Sequence, residues 1–353
     1  MAHLISTALP LATLALASCA TTQSGLRAYH AQDYEAAVDA WTPLAEAGHA
    51  DAQFYLATMF DDGVGVEQDK LEALEWYLLA AGSGHPKAQV NLGLLYFEGD
   101  GVDRSAARAL QWFRRAAEQG FPEAESNIGV HYLLGHGVEQ DPVEAQRWFR
   151  LAAEHGHPKA QRILAAMLEE GTCGDPDDAG AARWFASAAA GGDVESKARL
   201  GAMYLEGRGV EADDRRAAVL LEQAATAGNA DAQLLLGWMY FTGRGVDQDR
   251  GAASTWLAAA AFQGNTAAQA SFAHTCLARA EGGSAESAVE GARWLELAAS
   301  EGLVHAQYDL ALLHLRGTGV ARSRQEAIRW LERAAEGGHP AAAARLRALR
   351  AGE

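Results

Sequence analysis

The sequence predicts an all-α fold, an α/α superhelical solenoid of antiparallel helix pairs. Three registers predict it. Trp41, Trp76, Trp112, Trp148, Trp184, Leu220, Trp256, Trp294 and Trp330 recur every 36 residues, with 35 at the first step and 38 at the seventh. A small residue keeps the same step: Ala57, Gly93, Gly129, Ala165, Gly201, Gly237, Ala273 and Ala311. An Ala pair closes each unit, from Ala80-Ala81 and Ala116-Ala117 to Ala334-Ala335. A fixed period of this length means units that bury their apolar faces only against neighbours.

Composition agrees. The chain has 353 residues, 49% of them apolar, which sets it apart from disordered sequences. Its length would hold two or three ordinary domains, but the continuous register argues for one elongated body. Only 8 prolines interrupt an Ala-rich sequence, which favours helix. A net charge of −17 speaks against a nucleic-acid partner, since phosphate binding needs a basic patch. The C-terminal stretch from Arg316 to Glu353, rich in arginine, is the local exception.

Taken in order, residues 1–19 differ from the rest. Leu4 to Leu16 is an apolar run containing Pro10, too short to span a bilayer and fitted to the core of a secretory signal. It ends Leu16-Ala17-Ser18-Cys19, which resembles a bacterial lipobox, with Cys19 as the lipidated new N-terminus. Ala20 in place of an Asp implies the outer membrane of a two-membrane host, facing the periplasm. Ordinary cleavage after Ala17 would instead release a secreted protein. Residues 20–25 read as a short tether. Residues 26–49 read as an N-terminal capping hairpin, a brief helix to His30 and a second from Tyr34 to Glu46 carrying Trp41.

Residues 50–338 hold eight repeats of two helices, A and B. Helix A ends at a glycine, as at Gly63, Gly99, Gly135, Gly207, Gly243 and Gly317, where the left-handed conformation closes a helix. A second Gly and a Val complete the turn, as in Gly101-Val102. Helix B carries the tryptophan, which fills the gap between units, and the Ala pair, which permits close approach. Two turns depart from the pattern: Gly171 to Pro176 in repeat four, and Arg279 to Ser284, with two extra residues, in repeat seven. These read as drift with a modest bend. Residues 339–353 read as a C-terminal capping helix, from Pro340 to Arg350.

The elements Leu92-Gly93-Leu94-Leu95-Tyr96, Gly99-Asp100-Gly101-Val102 and Trp112 to Ala116-Ala117 resemble the Sel-1-like repeat, a relative of the tetratricopeptide repeat. The resemblance covers almost the whole chain after Cys19. It implies an α/α superhelix acting as a scaffold or adaptor, and bacterial members include exported proteins and lipoproteins of the cell envelope.

With the recurring small residue of helix A set to zero, positions −5, −1, 0, +2 and +3 fall on one arc, the expected buried stripe. Positions −3, −2, +1, +4 and +5 fall opposite and vary between repeats. This face is expected to line the concave side and read a partner. It offers Phe54 and Tyr55 in repeat one, Val90, Asn91 and Leu94 in repeat two, Arg162 in repeat four and Arg199 in repeat five. Repeat six adds Leu234, Trp238 and Phe241, and repeat eight adds Tyr308 and Leu312. Trp238 is the sharpest candidate, because the tryptophan register is already filled by Trp256 in its repeat. The alternative is that these side chains pack against the next helix A.

Candidate chemistry is sparse. His49, His85, His157 and His339 each follow a closing glycine at one register position, at least a whole repeat apart, so they cannot share an ion; no metal or cofactor is expected. None of Lys70, Lys87, Lys159 and Lys197 has a Ser three residues before it, as a β-lactam-type Ser-x-x-Lys would require. Cys173 and Cys276 lie three repeats apart and read as isolated thiols. The expected function is a non-catalytic protein–protein interaction scaffold of the bacterial envelope, lipid-anchored and bound to another envelope protein. The rivals are an envelope hydrolase acting on β-lactams or cell wall, and a binder of peptidoglycan or other glycan.

Overall fold

The computed structural model describes residues 22–281 and 283–351. The signal and lipobox reading, Cys19 included, lies outside them. The chain forms two compact units, one ending at Pro176 and one starting at Asp177, and each is built only of helices among its described residues. The first unit holds α1 (22–30), α2 (Tyr34–Glu46), α3 (Ala50–Asp62), α4 (Lys70–Gly82), α5 (Pro86–Glu98), α6 (Ala106–Ala117), α7 (Pro122–Leu134), α8 (Pro142–Glu154) and α9 (Pro158–Glu170). The second holds α10 (Asp178–Ala190), α11 (Val194–Glu206), α12 (Asp214–Thr226), α13 (Ala230–Thr242), α14 (Arg250–Phe262), α15 (Thr266–Glu281), α16 (Ala285–Ser300), α17 (Val304–Arg316), α18 (Arg324–Glu336) and α19 (Ala342–Ala351). From α3 onward, A and B helices alternate. No helix among the described residues is long and apolar enough to cross a membrane.

Helix ends follow local chemistry. Helix B opens on a side chain that accepts backbone N–H bonds: Asp69, Ser105, Asp141, Asp213, Asp249, Ser284 or Ser323. Helix A closes on a glycine in the left-handed region, from Gly63 (φ 67°) to Gly317 (φ 76°). Repeat seven is different. Its helices α15 and α16 are 16 residues each, where the neighbouring α13 and α14 are 13. The turn there is not a drifted copy of the others: Arg279 occupies the register position of the closing glycine, and the helix runs on through it to Glu281.

The tether reading of residues 20–25 is corrected by α1, which is already helical at Thr22. The Trp41 indole N–H donates to the Thr22 carbonyl at 3.3 Å, and Gly25 lies buried against the same ring. The only smaller adjustment at the other end is that the last helix starts at Ala342 rather than Pro340.

The core shows which residue the tryptophan register really places. Trp76, Trp112 and Trp148 are half-buried, packing against the clusters of adjacent helices. The residue that follows is buried throughout: Tyr77, Phe113, Phe149, Phe185, Leu221, Leu257, Leu295 and Leu331. Within each unit it lies on the small residue of helix A. A methyl group added at Gly93 would stand 2.5 Å from Phe113, and one at Gly129 2.9 Å from Phe149. Helix A and helix B of these two repeats therefore touch through a glycine and a ring.

Consecutive repeats are joined by a buried amide that sequence inspection passed over. Four residues before the small residue, Gln89 donates to the Ala81 carbonyl at 3.1 Å, and Gln53, Gln161, Gln233 and Gln307 make the same bond to Ala45, Ala153, Ala225 and Ala299. Each carbonyl lies near the C-terminal end of the preceding helix B and also accepts the N–H of the closing glycine three residues on, so the glutamine adds a second donor that belongs to the next repeat. In repeat three a carboxylate replaces the amide. Glu125 is fully buried, and His155 Nδ1 stands 2.9 Å from it.

Two of the histidines that follow closing glycines, His85 and His157, cap helix A with their side chains. His85 Nδ1 accepts from the Ala88 N–H at 3.1 Å, and His157 Nδ1 from that of Ala160 at 3.1 Å. Asn229 and Asn265 do the same in repeats six and seven. Burial pushes the His85 and His157 imidazoles below their ordinary value of 6.5, which matches a neutral ring that accepts a bond.

Two outcomes are expected. Gly93→Ala crowds Phe113 at a cost of about 2 kcal/mol, of which a gain of about 1 kcal/mol in helix propensity offsets part; thermal unfolding should show a net loss. The second concerns pH. Because the folded pKa of His85 and His157 is lowered, their contribution is fully present above the unfolded value of 6.5 and is lost as pH falls through the folded value. Urea unfolding midpoints should drop between neutral pH and pH about 5, and the double substitution His85→Asn, His157→Asn should flatten that slope.

Candidate functional site

The expected partner face divides into residues that the fold consumes and residues that it leaves open. At position −3 the structure corrects the arc drawn from sequence for Phe54 and Val90, which belong to the core. Phe54 is only 9% exposed and Val90 1%. The cause is the neighbouring repeat: the Phe54 ring stacks on His85, the next N-cap, at 4.5 Å, and Val90 sits in the cluster around Phe113 and Ile128. Tyr308 repeats the geometry, stacked on His339 at 4.1 Å. Leu234, also at −3, packs against the cluster of Leu257 and Phe272.

Other candidates are half-engaged. Tyr55 stacks on Trp41 at 4.7 Å. Asn91 donates to the Tyr77 hydroxyl at 3.0 Å. Leu94 leans on the Phe113 cluster. Arg162 is half-buried, and Arg199 is exposed and paired with Glu195 at 3.3 Å.

Trp238 and Phe241 meet. They stand at +1 and +4 of α13, one turn apart on the open face, 45% and 41% exposed. Their rings contact edge to face at 5.7 Å. Together they form one wall of a cavity of about 430 Å³ within the second unit. Leu257 of α14 is its floor, and His274, Thr275, Ala278 and Arg279 of α15 form the other wall. Most of the lining is apolar. Arg250, at the start of α14, closes one end. Arg279 is held in place by donating to Ser254 Oγ at 2.7 Å.

A ridge separates this cavity from a second. His274 Nε2 lies 3.1 Å from Asp309 of α17, and that hydrogen bond raises the imidazole above its ordinary value, outweighing burial. Beyond the pair a groove of about 580 Å³ runs between α15 and α17, lined by Leu312, Leu277 and Arg316 among others. The sequence reading thus placed Trp238, Phe241 and Leu312 on these walls and missed Arg250, His274, Thr275 and Arg279. Arg279 had a signal: it stands where the other repeats carry Gly63, Gly99, Gly135, Gly171, Gly207, Gly243 and Gly317.

The arrangement suits noncovalent holding: aromatic edges, an apolar floor and fixed cations. Among the described residues, no group of three or more His, Cys, Asp or Glu is gathered as a metal site. Cys276 is buried beneath this region, and burial pushes its thiol up to about 11, away from the reactive thiolate form.

Comparison with known proteins agrees with this architecture. The Sel1 repeat model matches residues 50–85, 86–121, 122–157, 158–193, 194–229, 230–265, 277–303 and 304–339. The segment between 265 and 277, in the lengthened α15, falls outside the match. The chain is similar to c5321, a protective antigen of uropathogenic Escherichia coli displaying an SLR fold, with 32% identity over 93% of this chain and 79% of that one, at a TM-score of 0.73. It is also similar to a Sel1 repeat protein from Oxalobacter formigenes, with 32% identity over 68% of this chain and 96% of that one, at a TM-score of 0.58. No curated protein matches the chain. Eight matched repeats and a relative of this identity and coverage place the chain in the Sel1 repeat family.

Proposed function

We propose that the chain is a non-catalytic scaffold of the bacterial cell envelope that holds another envelope protein on its helix-A face, centred on Trp238 and Phe241. Sel1 repeat proteins are generally protein-interaction scaffolds, and their fold is typically non-catalytic. The observation that carries the choice of surface is the pair of aromatic side chains, 45% and 41% exposed, standing together over a cavity rather than in the core. Large exposed apolar groups are informative when they cluster, and rigid aromatic anchors dominate binding energy. Envelope placement rests on Leu16-Ala17-Ser18-Cys19, with Cys19 carrying a lipid that anchors the scaffold to the outer membrane.

Crosslinking in the native envelope tests the surface. Trp238→Ala with Phe241→Ala should remove the crosslinked partner while far-UV circular dichroism keeps the helical signal. Undiminished partner recovery from the folded variant refutes the assignment. The anchor has its own test, membrane fractionation of Cys19→Ser. The variant should leave the membrane fraction, and an unchanged distribution rules the anchor out.

A further inference from the structure

We propose that the cavity between α13 and α15 takes an internal acidic segment of a partner protein, seating one large apolar side chain against Trp238 and Phe241 and holding flanking carboxylates with Arg279 and Arg250. This inference rests on the reading of the helix-A face as the partner surface and names the chemistry that the surface selects.

The first support is charge. The chain carries 46 acidic against 29 basic residues, yet the lining of this cavity includes two arginines and no carboxylate. His274 is matched by Asp309 at 3.1 Å, so its charge is spent inside the protein. Arg279 bonds a neutral hydroxyl, Ser254 Oγ. The two guanidiniums are thus left as the charge available to a ligand. A guanidinium beside apolar walls binds carboxylate more strongly than one in open water.

The second support is the backbone. Seven repeats end helix A with a glycine at the position that Arg279 occupies. Repeat seven instead extends α15 to Glu281 and starts α16 at Ala285. The extension brings Ala278 and Arg279 to the cavity wall. Ser254, a buried side chain of α14, fixes the guanidinium there. The close packing of helices A and B does not call for this arrangement, since the seven other repeats do without it.

The third is shape. A volume of about 430 Å³ lies within the range of sites that enclose a ligand group. The cavity does not end blindly, because His274 lines both it and the groove beyond, where Leu312 and Arg316 stand with Glu281 and Asp309, so the carboxylates of the segment belong at Arg250 and Arg279 and its uncharged part in the groove. An extended segment can follow that path. The cations sit on separate helices, α14 and α15, which suits carboxylates on separate side chains rather than one chain terminus.

The test is a display selection of random octapeptides, fused at both ends, on the full chain. Selected sequences are then made with blocked ends and titrated by fluorescence anisotropy. Expected are sequences with Phe, Leu or Trp flanked by Asp or Glu, whose affinity falls about tenfold with Arg279→Gln, is lost with Trp238→Ala, and weakens with added salt. Thermal unfolding checks each variant, and Arg250→Gln, at an exposed helix start, serves as a second charge variant. Acidic peptides indifferent to both arginine substitutions overturn the inference, as does binding that needs a free terminal carboxylate. Neutral or basic peptides that still require Trp238 overturn it while the partner surface survives. A selection that yields no Trp238-dependent peptide removes both.

Discussion

The structure depends on how closely two helices of one repeat can approach. At position zero helix A offers no more than a methyl group, and helix B lays the ring or branched side chain after the tryptophan against it, as Phe113 lies on Gly93 and Leu257 on Gly237. That contact sets the separation of the pair. It also makes the rest of the repeat legible: the tryptophan is then free to lean sideways onto adjacent helices, and the Ala pair gives the next repeat a flat surface. Interiors packed this way tolerate little volume change, so the small-residue register is held even where turns and faces vary.

The joints between repeats are polar. A buried glutamine reaches back to a carbonyl of the preceding helix B, and a His, Asn or Asp at the start of helix A caps its own first turn. His85 does double duty, since its ring also receives Phe54 of the repeat before, and the ring of His339 receives Tyr308 in the same way. Directional bonds of this kind fix how one unit sits on the next, a task that apolar packing alone performs loosely.

Much of this was readable in the sequence, because a repeat shows its rules by repetition. The helix pairs, closing glycines and small-residue stripe follow from period and register. The face was less readable. A helical wheel assigns position −3 to the outside, but it knows only its own helix, and Phe54 and Val90 are covered by side chains from other repeats. The wheel worked for Trp238 and Phe241, at +1 and +4, because nothing from the adjacent repeat reaches over them. Arg279 was visible as a broken pattern, yet its consequence required seeing that the helix continues. The buried glutamines were equally visible at Gln53, Gln89, Gln161, Gln233, Gln269 and Gln307; polar residues in an apolar stripe were simply not expected to be structural.

Glu125 changes the mechanics of one seam. Where Gln89 reaches back to Ala81, Glu125 stands instead 2.9 Å from His155 of its own repeat. The polar contact that Gln89, Gln161, Gln233 and Gln307 make to the repeat before is here made inside the third repeat. Apolar side chains then span this joint, those of Val90, Phe113 and Ile128.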